Sequence, residues 1–221
     1  MFYRLLLAHL LADFVLQTRW MVERKRSPGG LALHVGLVGL AALAVAWDRL
    51  AVWWPWLLLV VAAHAAIDWV KLRLEPRLRL PPIFPFLADQ AAHLLTLAAV
   101  ATLAEPNGLG LAPDHAEPLW WIASVYLAAT FALSIALPLW LDPPSLMQRP
   151  PAARTITVVA TALALTLAWR GWPLLIPVVG LVLYEAVARR LGRHPTTRTF
   201  PVEFWSALVV ATSLGWGLGA A

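Results

Sequence analysis

Residues 52–70 read Val-Trp-Trp-Pro-Trp-Leu-Leu-Leu-Val-Val-Ala-Ala-His-Ala-Ala-Ile-Asp-Trp-Val, an apolar run that holds two ionisable side chains, His64 and Asp68. As a helix this run is about 28 Å long, close to the ~30 Å hydrocarbon thickness of a bilayer. His64 and Asp68 are four residues apart and so share one helical face, one turn apart. An ionisable group in hydrocarbon is costly, so it is either paired or functional. The run therefore predicts both a membrane helix and a place where chemistry is done.

Working outward, the whole chain repeats the pattern. Its 221 residues are 61% hydrophobic and only 13% charged, with a mean hydropathy of +0.72. A soluble domain would carry roughly 25% charged residues. Eight apolar segments can be drawn, at about 2–17, 31–47, 52–70, 83–103, 119–141, 155–169, 172–188 and 202–218. The first and sixth are short. Breakers separate them: Ser27-Pro28-Gly29-Gly30, Pro81-Pro82, an acidic loop from Glu105 to Pro118, and Pro143-Pro144 with Pro150-Pro151. Pro173 and Pro177 fall in the first turns of the seventh segment, where proline is tolerated. The expectation is an all-α, polytopic membrane bundle of about eight transmembrane helices. It forms one integral membrane domain over 1–221, with a four-helix half (1–104) and a scaffold half (105–221).

Basic residues orient the bundle. Arg19, Arg24, Lys25, Arg26, Lys71, Arg73, Arg77, Arg79, Arg149, Arg154, Arg189, Arg190, Arg193 and Arg198 fall on one side, fourteen of the seventeen Lys and Arg. Arg4, Arg49 and Arg170 fall on the other, with Glu105, Asp114 and Glu117. The positive-inside rule places the basic side in the cytoplasm and both termini outside. The thirteen tryptophans sit near segment ends, as an aromatic belt requires. The net charge of +5 thus reflects topology, and no nucleic-acid partner is expected. With no cysteine, thiolate ligands and disulfides are excluded. No cleavable signal is expected, because the first segment carries His9 and Asp13.

The polar residues in the apolar runs are His9-x-x-x-Asp13, His34, His64-x-x-x-Asp68 and Asp89-x-x-x-His93. With alternating helix directions, all seven fall in one band in the cytoplasmic half of the bilayer. The order of each pair reverses with direction, so the carboxylate is always the shallower group. Four imidazoles and three carboxylates form a donor set for zinc, with manganese or iron as alternatives, as one or two ions. Two ions would offset three aspartates and match the arrangement used on phosphoesters. One ion with supporting Asp–His pairs fits as well. Gln17 extends the His9–Asp13 stripe and Gln90 adjoins Asp89, so both are candidate hydrogen-bond supports. Lys71 lies at the cytoplasmic interface, where it could hold an anionic head group, though a snorkelling topology determinant is the favoured reading for it and for Arg73. His115 and His194 read as solvated, and Glu185 with Arg189 as a local i, i+4 pair. Glu203 suits a helix N-terminus.

His9-Leu-Leu-Ala-Asp13-Phe-Val-Leu-Gln17-Thr, Met21, Lys25, His34, His64-Ala-Ala-Ile-Asp68-Trp-Val-Lys71 and Asp89-Gln90-Ala-Ala-His93 resemble, in order, the bacterial integral membrane proteins grouped as domain of unknown function 3307. That resemblance covers about the first hundred residues and implies a bacterial inner-membrane location without an established reaction. The His-x-x-x-Asp pattern is also distantly similar to that of LexA-regulated membrane-bound metal-dependent hydrolases. The leading expectation is a membrane-embedded metal-dependent hydrolase acting on a lipid or amphiphile, with a phosphoester among the candidate linkages. Its metal ligands would be His9, Asp13, His34, His64, Asp68, Asp89 and His93, with a metal-activated water as nucleophile and Asp13, Asp68 or Asp89 as base. Two other readings stay open. One is a divalent-cation or proton transporter using the same cluster, and the other a non-catalytic scaffold in which His–Asp pairs glue helices together.

Overall fold

A computed structural model describes residues 1–105, 118–143, 151–191 and 199–220. Asp114, His115, Glu117, Arg149 and His194 lie outside these residues, as does the Arg189 side chain. Every regular element among the described residues is helical. Five helices are long and apolar enough to cross a membrane, and Ala153–Trp169 and Pro173–Ala188 are shorter apolar helices. The chain divides into two compact units, Met1–Ser124 and Val125–Ala221.

In the first unit, helix α1 (Phe2–Leu10) runs into a π-helical stretch, Leu11–Leu16, and breaks at Gln17. A six-residue helix α2 (Arg19–Arg24) follows, capped by Thr18, whose hydroxyl accepts the Met21 N–H at 3.4 Å. Helices α3 (Pro28–Val45), α4 (Leu50–Leu74) and α5 (Ile83–Ala104) complete the half that carries the polar residues.

Three details depart from the sequence reading or add to it. The region after the first segment holds a helix, α2, rather than only loop. Ser27-Pro28-Gly29-Gly30 lies between α2 and α3, as read, and beyond that it starts α3: the Ser27 hydroxyl accepts the Gly30 N–H at 3.1 Å, and proline sits at the first position, where no donor is lost. Helix α4 continues past Val70, so Lys71 and Arg73 are helical and keep a fixed bearing on Asp68.

The pattern of burial is inverted relative to a soluble protein. Leu40, Val52, Leu58 and Leu95 are largely exposed, whereas His34, His64, Asp68 and His93 are buried. Each long helix of this unit presents one inward stripe. On α4 it is Trp53, Leu57, Val60, His64 and Asp68; on α5 it is Asp89, His93, Leu97 and Val100. Apolar surface of this kind facing outward is stable only in an apolar solvent, and the fold is that of a membrane protein.

The second unit contains the end of a helix run, Pro118–Leu141, that includes a π-helical stretch at Ala128–Ala132. Helices α6 (Pro151–Trp169), α7 (Ile176–Leu191) and α8 (Phe200–Ala220) follow. Here α6 and α8 approach closely: a Cβ on Gly215 would lie 2.4 Å from the Leu165 carbonyl oxygen.

Candidate metal centre

All seven sequence-predicted ligand residues are buried and converge in the first unit. His9 and Asp13 come from α1 and its π-helical extension, His34 from α3, His64 and Asp68 from α4, and Asp89 and His93 from α5. They form three overlapping donor groups: His9–His64–His93, Asp13–His34–His64 and Asp68–Asp89–His93, each with donor atoms within 4.8 Å of one another.

The Asp13–His34–His64 group is closely spaced on all three of its edges. His34 Nε2 lies 3.0 Å from His64 Nε2 and 3.2 Å from Asp13 Oδ1, and His64 Nε2 lies 3.6 Å from the same oxygen. Asp68 Oδ2 completes a second triangle on the same imidazole edge, 3.3 Å from each Nε2. Ligands bound to zinc at 2.0–2.2 Å in a tetrahedron stand ~3.3–3.6 Å apart. Four of the five edges lie at 3.2–3.6 Å, near that spacing, and the shared His34–His64 edge is shorter, at the 3.0 Å of a hydrogen bond. In the π-helical turn, Asp13 keeps Oδ2 3.8 Å from His9 Nδ1 while reaching α3 with its other oxygen.

The second-rank contacts decide which nitrogens are free. His93 Nδ1 donates to the Asp89 backbone carbonyl at 2.9 Å, which leaves Nε2 as a bare acceptor. Gln90 donates through Nε2 to Asp89 Oδ2 at 3.0 Å, so its Oε1, 3.2 Å from His9 Nε2, accepts the imidazole N–H and leaves His9 Nδ1 bare. His9 Nδ1, His93 Nε2 and Asp89 Oδ1 are thus buried acceptors without a hydrogen-bond donor, His34 Nδ1 also lacks a partner, and Asp13 Oδ1 has only the imidazole nitrogens of His34 and His64 beside it, outside good hydrogen-bond geometry. Buried polar atoms are almost always satisfied, so a cluster of orphaned acceptors is a demand for a cation or a bound water. A water-sized cavity adjoins the imidazoles of His9, His64 and His93, with room for roughly one molecule; Leu5, Val38, Val60, Ile67 and Leu97 form its apolar wall.

Gln17 and Gln90 fall where expected. The Gln17 side-chain amide donates to the Asp13 backbone carbonyl at 3.3 Å, and its oxygen accepts from Lys25 Nζ at 3.0 Å. Lys71 does not snorkel away: its Nζ lies 2.8 Å from Asp89 Oδ2. Arg73 does leave the cluster, stacking over the Trp69 ring at 4.1 Å.

Lys25, counted from sequence only as a topology charge, is buried and lies 2.7 Å from Asp68 Oδ2. The α2–α3 reversal puts it there, and Gly30 permits that reversal: a Cβ at Gly30 would stand 2.0 Å from the Arg24 carbonyl oxygen. The usable signal was Ser27-Pro28, a helix start that turns the chain back immediately after Lys25.

Residues 1–117 match the family model described as "Protein of unknown function (DUF3307)". No curated protein and no solved structure matches the chain.

Proposed function

The chain belongs to this family of proteins of unknown function, and from that premise we propose that it is a membrane-embedded, metal-dependent hydrolase acting on a lipid or other amphiphile. The carrying observation is the buried Asp13–His34–His64 triangle, whose edges of 3.0, 3.2 and 3.6 Å are close to the ~3.3–3.6 Å spacing of one face of a metal's ligand shell. Asp68 supports it from the second triangle, and His9, His93 and Asp89 offer further orphaned acceptors. Zinc suits the imidazole-rich set, with manganese or iron as substitutes.

Charge favours one ion. Lys25 and Lys71 already neutralise Asp68 and Asp89, which leaves Asp13 as the carboxylate without an ammonium partner. One divalent ion against the single remaining carboxylate leaves one net positive charge, where two ions would leave three, a far costlier buried excess. When bound, the ion lowers the pKa of its water to near neutrality. The protein supplies the rest: Gln90 and the Asp89 carbonyl hold the His9 and His93 rings in one tautomer. Asp89 Oδ1, without a hydrogen-bond donor and 3.7 Å from His93 Nδ1, is the candidate proton acceptor. The apolar wall of that cavity keeps bulk water from the reacting atoms.

In this reading the chain crosses the bacterial inner membrane eight times with both termini outside, and the cluster lies in the cytoplasmic half. The test is product release from a total lipid extract incubated with detergent-purified protein plus zinc or manganese. Wild type releases a soluble head group, and Asp13→Asn releases none above a protein-free control. Equal release by both would overturn the proposal. A metal-dependent ion flux in sealed vesicles without hydrolysis would assign the cluster to the carrier reading instead.

A further inference from the structure

Lys25 and Lys71 are buried more deeply than topology requires, and their place in the cluster suggests a use. They flank the Asp68–Asp89 carboxylate pair, one ammonium on each. An ammonium has three N–H donors. Lys25 uses two, on Gln17 and Asp68, and Lys71 uses one, on Asp89, among the described residues. Three donors stay open at one end of the site.

These two side chains are also the way in. The Lys71 side chain is 27% exposed and that of Lys25 11%, whereas those of His34, His64 and His93 are 4% or less. A molecule approaching from this end meets the ammoniums before the metal ligands.

The surroundings show which solvent it comes from. Each lysine adjoins an arginine stacked on an exposed tryptophan. Arg24 lies over Trp20 at 4.7 Å beside Lys25, and Arg73 lies over Trp69 at 4.1 Å beside Lys71. Val22, Val70, Phe84 and Leu87 are exposed around them. Arginine on tryptophan, set among exposed aliphatic groups, is the chemistry of the head-group layer, where apolar chains and anionic phosphates coexist.

We propose that Lys25 and Lys71 form the docking site for a phosphate-bearing head group, so that the substrate is an anionic amphiphile presented from the bilayer. The inference rests on the proposed hydrolase reading for what happens next, but the binding step stands apart from it. The ammoniums, each already paired with a carboxylate, supply the open N–H donors that hold the phosphate beside the Asp13–His34–His64 centre.

The experiment is equilibrium binding of radiolabelled phosphatidic acid to the full chain in phosphatidylcholine nanodiscs, with metal content measured on the same samples. Wild type, Lys71→Gln, Lys71→Arg, Lys25→Gln and Arg19→Gln are compared. Arg19 is exposed on the same short helix and paired with Glu23, so its variant changes net charge without touching the site. The expected result is at least a tenfold weaker affinity in Lys71→Gln, partial rescue in Lys71→Arg, wild-type affinity in Arg19→Gln, and unchanged metal content in all three. Lys25→Gln is expected to weaken binding further, and Lys71→Gln keeps the test decisive should that variant not fold. Equal affinity in wild type and Lys71→Gln would overturn the proposal. So would displacement of the lipid by inorganic phosphate at equal concentration, which would assign the site to a soluble phosphate. Lysine-dependent lipid binding in protein that holds no metal would retain this inference and remove the hydrolase reading.

Discussion

The two units bury polar groups in different ways. Among the described residues of Val125–Ala221 the buried polar groups are hydroxyls, each satisfied by its own helix, together with the carboxylate of Glu203. Thr130 donates to the Tyr126 carbonyl at 2.6 Å, Ser134 to Phe131 at 2.7 Å and Thr161 to Thr157 at 3.0 Å. Such groups need no neighbour and aim nothing at the space between helices. In Met1–Ser124 the buried groups are mainly ionisable side chains, and most of them, His93 with its own-helix carbonyl being an exception, meet a partner from another helix. What they leave over is a set of bare acceptors converging from three helical segments: α1, its π-helical extension and α5. The comparison separates polar residues that a membrane helix tolerates from polar residues that a site requires.

The sharpest way to break this contrast is to remove one ligand from each kind of cluster. His34→Ala is expected to lower metal affinity by more than about 100-fold, since loss of a mere supporting contact already costs 10–100-fold. Thr161→Val in the second unit should leave metal content unchanged. Calorimetric or fluorescence titration of chelator-stripped protein reads both. Equal affinities would dissolve the distinction.

The next effect concerns stability. Lys25→Ala strands the Asp68 carboxylate, whose side chain is 1% exposed, and should destabilise the protein by about 3–5 kcal/mol. Lys71→Ala should cost less, because its ammonium is partly solvated. A thermal unfolding series in detergent orders the two, and the reverse order would contradict the assigned burial.

Much of this was legible beforehand, for a physical reason. Histidine and aspartate in the middle of apolar runs have no cheap explanation, so His9, Asp13, His34, His64, Asp68, Asp89 and His93 announce themselves. Lys25 does not, and Lys71, though weighed as a head-group contact, was read first as a topology charge. A basic residue at a helix end satisfies the positive-inside rule, and that sufficient explanation hides a second role until α2 and α3 are seen to turn Lys25 back onto Asp68. The π-helical stretch at Leu11–Leu16 was equally hidden, since nothing in its residues distinguishes it from a regular helix. Ser27-Pro28 was legible as a break between segments but not as the start of α3, because proline breaks a helix interior yet begins one at the first position.

Two smaller predictions refine the comparison. Gly30→Ala and Gly215→Ala each drive a Cβ into a backbone carbonyl and should cost about 1–3 kcal/mol by overpacking. Gly30→Ala alone should also disturb the site, through Lys25, and so weaken metal binding. A change in metal affinity from Gly215→Ala would show that the second unit is more than packing. Smallest of all, Arg19→Ala breaks only an exposed ion pair with Glu23 and should shift stability by about 0–1 kcal/mol. A larger loss would mean that α2 is held by more than Thr18 and Lys25.

The most direct test of the central claim is elemental mass spectrometry on detergent-purified wild type beside His34→Ala and Thr161→Val. The account predicts about one equivalent of zinc, manganese or iron in wild type and in Thr161→Val, and none in His34→Ala. A folded wild type without metal after incubation with each ion would contradict it, leaving the cluster as a hydrogen-bonded scaffold or a proton path.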